Sequence, residues 1–155
     1  MASAKEGKSA GTTKPPIITP TDLNKIEEER ESAAAREALE KKRRIEQEQQ
    51  ELHDVFMRQE IGPEAIDRFN IAVRKAAEQG RHEIMIGQFP AVWCTDAGRR
   101  INNNSEDWPE SLQGIAKRVY EYHLQQLAPL GYKMHMQVLN YPDGMPGDIG
   151  IFFRW

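Results

Sequence analysis

Between Asp22 and Glu60 the chain contains neither glycine nor proline, and Gly62-Pro63 then stops the run. A stretch filled with Glu, Lys, Arg, Gln and Ala is rich in strong helix formers, so it predicts one long helix. Residues 21–62 carry 8 Lys/Arg and 12 Asp/Glu, a net charge of -4. A helix with so little apolar surface cannot bury itself; it stays in water or takes a partner. Thr21 or Asp22 offers the N-cap, and the Glu-rich positions 27–31 suit the positive end of the helix dipole.

The run fails a coiled-coil test. Leu23 and Ile26 start a seam, but Arg30, Glu37 and Glu40 occupy its next positions. Ala38, Ile45 and Leu52 are spaced by sevens with Val55 at the companion position, while the other companions, Lys41 and Glu48, are charged. A coiled coil wants both positions apolar over several heptads. The expectation is therefore one solvated helix whose last two turns (Leu52, Val55, Phe56, Gln59) touch a folded domain. Glu37–Lys41 and Glu40–Arg44 would support it by a few tenths of a kcal/mol each, roughly 0.2–0.5.

After Gly62 the character changes. Pro63 suits the first turn of a second helix, with Ile66, Phe69, Val73 and Ala76 as its stripe and Gly80 as its stop. Glu83–Phe89 reads as a strand that Pro90 interrupts, and Ala91-Val92-Trp93-Cys94 as its continuation along an edge. Thr95-Asp96 caps a short turn through Ile101. Asp107-Trp108-Pro109-Glu110 reads as a capping box for a helix running to Leu127. Residues 132–141 form a strand, and Ile149, Ile151, Phe153 and Trp155 alternate on a last one. The final two strands pair as an antiparallel hairpin, and the helical connection crosses the sheet. The fold class is α+β: a small two-layer domain with a three-stranded sheet and helices on one face. A long charged N-terminal helix and a disordered tail precede it. The boundaries are 1–20 for the tail, 21–61 for the arm and 62–155 for the domain.

The overall charge of -3 is mild, and no region has a large basic excess. The single cysteine, Cys94, excludes an internal disulfide and beside Val92-Trp93 reads as a small buried thiol. No N-terminal apolar run marks a secretory signal, and no stretch approaches the ~20 apolar residues of a membrane span. A cytoplasmic chain without membrane contact is the expectation.

Catalytic readings are thin. Cys94 with Asp96 and His123 or His135 would make a nucleophile site only if the thiol were partly exposed and electropositive. His53, His82, His123 and His135 are too scattered for a zinc site, and Asp143 and Asp148 lack calcium-loop spacing. No phosphate-cradling glycine motif occurs. Neither a cofactor nor a metal is expected. Lys41-Lys42-Arg43-Arg44 and Arg99-Arg100 are candidate contacts for nucleic acid or another anion. Acidic neighbours of the first run, such as Glu37, Glu40 and Glu46, favour a salt-bridged helix surface instead. Phe152 and Phe153 must point to opposite sheet faces, so at least one needs cover. These features favour a non-catalytic adaptor or assembly protein that binds another protein or a second copy through the helical arm, an aromatic sheet face, or both. Ile45, Leu52, Val55 and Phe56 are the expected contacts. A nucleic-acid accessory protein is the alternative, and a small enzyme built on Cys94 the second.

Overall fold

The computed structural model describes residues 14–155. The tail expected for residues 1–20 falls mostly on 1–13, outside the described residues; residues 14–19 are exposed and irregular. Contacts divide the chain into two units at Gln47-Glu48.

Helix α1 runs from Pro20 to Arg58. Its cap lies earlier than the sequence suggests. Thr19 Oγ1 accepts from the Asp22 backbone N–H at 3.2 Å, and Asp22 Oδ2 accepts from the Thr19 N–H at 3.1 Å. This is a reciprocal capping box with Pro20 at the first helical position. Hydrogen bonds from the Thr19 hydroxyl and then its backbone N–H hold the Asp22 carboxyl below its usual range. Throughout the first unit the side chains of α1 are exposed. Neither Glu37–Lys41 nor Glu40–Arg44 closes into an ion pair, whereas Arg100–Asp96, Arg100–Asp107 and His135–Glu83 do. Long exposed side chains lose rotamer freedom on pairing, which offsets a Coulomb gain already weakened by water.

The second unit is a three-stranded antiparallel sheet with helices. Strands β1 (Glu83–Pro90), β2 (Lys133–Val138) and β3 (Asp148–Arg154) are ordered β1-β3-β2. The last strand therefore enters between the first two, as the helical crossover requires. Ile149, Ile151 and Phe153 alternate on its inner face and are buried. Phe153 is 1% exposed, and burying such a ring contributes about 1.5–3 kcal/mol. It meets Phe69 of helix α2 (Pro63–Glu78) edge-on at 5.5 Å. Phe152, on the opposite face, stacks on His135 at 4.8 Å and 5°. Gly150 makes room for it, since a Cβ there would stand 2.7 Å from the Phe152 ring. The sheet-face aromatic is thus half covered by its own neighbours.

Three local expectations give way. Residues Ala91–Trp93 form a 3-10 turn rather than an edge strand: the Ala91 N–H still pairs with Gly147 O at 2.7 Å, and the Cys94 N–H then bonds back to Ala91 O at 3.0 Å. The Asp107–Glu110 box does not form; Trp108–Ser111 is a 3-10 turn without a side-chain cap, and Asp107 pairs with Arg100 at 3.4 Å. Trp155 lies beyond the end of β3 and is 38% exposed, so it does not continue the alternation of Ile149, Ile151 and Phe153.

Asp96 does cap a turn, accepting from Gly98 and Arg100 N–H at 3.0 and 2.9 Å ahead of the short helix α3 (Arg99–Asn102). Helix α4 (Gly114–Tyr122) starts later than the sequence implies and continues as a π-helical turn over His123–Leu127. Its start is set by Gly114, which has φ +56 and sits against the end of α1. A Cβ there would stand 2.5 Å from the Phe56 carbonyl oxygen and 3.0 Å from Met57 Cα. Gly114→Ala should therefore cost about 2 kcal/mol or more, from both left-handed strain and collision with backbone. Urea unfolding measures it; an unchanged midpoint would show that this contact does not fix the packing.

Candidate functional site

The second unit carries an apolar groove whose origin is a defect in strand β1. The register with β3 slips between Met85 and Gly87, so Ile86 is the extra residue of a β-bulge. Gly87 then faces Ile151 on the inner side, where a Cβ would meet nothing within 4 Å. A missing side chain and a displaced isoleucine leave a trough of about 770 Å³. Leu52, Val55 and Phe56 of α1 form one wall, Val92 and Trp93 another, and Ile115 with Val119 of α4 a third. Its polar lining is Gln49, Gln59 and Gln88, so no formal charge enters it. The trough shares Gln59, Ile86, Ile115 and Val119 with a second cavity of about 300 Å³ that continues beside Phe69 and Leu130.

The walls are well anchored. Phe56 is 6% exposed, with its ring 4.8 Å from Trp93 and 5.3 Å from Phe89. His53 adds a tilted contact with Trp93 at 5.2 Å. The Arg118 guanidinium donates from Nη1 to Met57 O at 3.0 Å and Gln59 O at 2.7 Å. Those carbonyls lie at the C-terminal end of α1, where a cation also meets the negative end of the dipole.

The four residues expected to bind a partner separate into distinct roles. Phe56 is a buried anchor. Leu52 and Val55 line the groove yet remain 62% and 51% exposed. Ile45 is exposed on the first unit. Lys41, Lys42, Arg43 and Arg44 are all exposed, and consecutive residues turn by about 100°, which spreads their charges around the helix. Arg99 is exposed; Arg100 is held between Asp96 at 3.9 Å and Asp107 at 3.4 Å. Sequence reasoning missed Val92, Ile86, Gly87 and Arg118. A glycine inside a strand pattern is the one signal that pointed to the bulge.

The residues considered for catalysis are engaged elsewhere. Cys94 is buried, and burial first, then the Asp96 charge, push its thiol up to about 11, against a hydrogen bond from Ser111. A thiol held there stays protonated at neutral pH. His123 contacts the Tyr132 carbonyl through Nε2 at 2.9 Å, and the ring of His135 lies on Phe152. Among the described residues no three His, Cys, Asp or Glu side chains are grouped to hold a metal ion, and no helix is long and apolar enough to cross a membrane. No protein-family model, curated protein or solved structure matches the chain.

The raised thiol makes stability depend on pH. The folded state favours the neutral thiol, so this contribution is complete below the unfolded value near 9.0 and is lost as pH rises toward about 11. Unfolding free energies of wild type and Cys94→Ala should therefore converge over that window. Parallel curves would place the thiol outside the buried, neutral state.

Proposed function

We propose that the protein is a non-catalytic adaptor or assembly protein that binds another polypeptide through the trough and the exposed apolar residues of α1. The observation that carries this reading is the uncharged trough flanked by exposed Leu52, Val55 and Val92, with Val92 at 71% exposure. Contiguous exposed apolar surface on a soluble fold marks an interaction site. A groove floored by a strand and walled by two helices is a form that receives an amphipathic segment. A nucleic-acid role fits less well, because the basic run is spread around its helix and Arg100 is neutralised by two carboxylates. The buried Cys94 gives an enzyme reading little support.

Gly87→Val tests the reading cleanly. The new side chain enters open space on a strand, where a β-branched residue is favoured, so the fold should be kept or slightly stabilised. Full-length wild type should retain its polypeptide partner after nuclease treatment. Gly87→Val and Val92→Glu should each weaken retention tenfold or more, about 1.4 kcal/mol, with thermal melting preserved. Retention that disappears with nuclease, or that both variants leave intact, would refute the groove as the docking surface.

A further inference from the structure

Four of the charged positions that break the heptad in α1 pair off with opposite sign about its midpoint, while the fifth, Glu40, mirrors Ala38. Leu39 is the midpoint of Pro20–Arg58. Counted outward from it, Leu23 mirrors Val55, Ile26 mirrors Leu52, and Ala33 mirrors Ile45. In the same count Arg30 mirrors Glu48 and Glu37 mirrors Lys41. At 100° per residue all these positions fall within one band about 120° wide. Every one of them is exposed. In a parallel, in-register pair Arg30, Glu37, Lys41 and Glu48 would each meet their own copies, like charge on like. In an antiparallel pair aligned end to end, apolar meets apolar and Arg30, Glu37, Lys41 and Glu48 each meet an opposite charge, while Arg44, also in the band, lies against Ala34.

We propose that two copies of this chain associate through α1 as an antiparallel pair with its two-fold axis at the level of Leu39. This rests on the protein-binding reading above and names the occupant of the arm. A closed two-fold contact uses the same surface on both copies, which a palindromic seam satisfies. Charge complementarity sets orientation and register, as polar seam positions do in coiled coils, at some cost in stability. Leu23 and Ile26 of the second copy come to rest on Val55 and Leu52, at the mouth of the trough. One like-charge approach, Glu27 to Glu51 of the second copy, falls at the edge of the band, where water and salt screen it.

Full-length Ile26→Cys and Leu52→Cys variants decide the orientation, because the native Cys94 is buried. Oxidation of the two variants mixed should yield a cross-linked heterodimer, and neither variant alone should cross-link. Self-linking of either variant alone would mean a parallel pair and overturn the proposal. Sedimentation of the wild type should give a dimer; a monomer mass at roughly 100 µM would also overturn it. Glu48→Arg should raise the dimer dissociation constant about tenfold, and adding Arg30→Glu should restore it. Failure of that rescue would refute the register. A monomeric wild type whose partner retention is still lost in Gly87→Val would remove the second copy as occupant and leave the groove reading standing.

Discussion

The second unit is organised around a backbone-to-backbone contact at Gly114. Without a Cβ, the first residue of α4 lies directly against the carbonyl of Phe56 and the Cα of Met57. One turn later Arg118 ties down the carbonyls of Met57 and Gln59. Together these contacts satisfy the end of α1, which would otherwise present unpaired acceptors at the domain surface. They also hold Phe56 in the cluster with Phe89 and Trp93, while Leu52 and Val55, on the adjoining face of α1, stay outside. The same contact that buries one side of the last turns leaves the other side available.

The trough follows from that placement and from the bulge in β1. A regular strand with a side chain at position 87 would fill the space between α1 and α4. The inserted Ile86 shifts the register, puts a glycine on the inner face and leaves the apolar walls apart. Bulges recur where a strand is bent to serve a site, and this one sits at the floor of the largest cavity described. The open sheet face differs: Phe152 is covered by His135 and Glu83, Lys133 and Arg154 occupy the paired positions beside it. Of the two surfaces, the trough is the less charged.

The sequence showed what periodicity and breakers encode. The glycine-free run marked α1, Pro63 and Gly80 bounded α2, and the alternation of Ile149, Ile151 and Phe153 identified the inner face of β3. It was weaker where a distant partner decides the backbone. Ala91 is held by Gly147, far along the chain, which accepts its N–H where the strand gives way to the turn. Asp107 is diverted from a cap by Arg100, and α4 starts at Gly114 because α1 packs there. None of these partners lies within the local window that capping and propensity rules use. The trough was equally hidden, since it arises from the absence of a side chain. The palindrome in α1 was written in the sequence, but a search for one repeated direction reads its charged members as interruptions.

The proposed antiparallel pair would give the exposed face of α1 its cover in a second copy. Amide hydrogen exchange of the full-length chain as a function of protein concentration tests it most directly. An isolated solvated helix exchanges fast, whereas a paired one is protected to the extent that it is paired. Exchange across residues 23–45 should slow as concentration rises, while β3 amides stay unchanged. Fast exchange across that segment, identical at every concentration, would rule out the pairing.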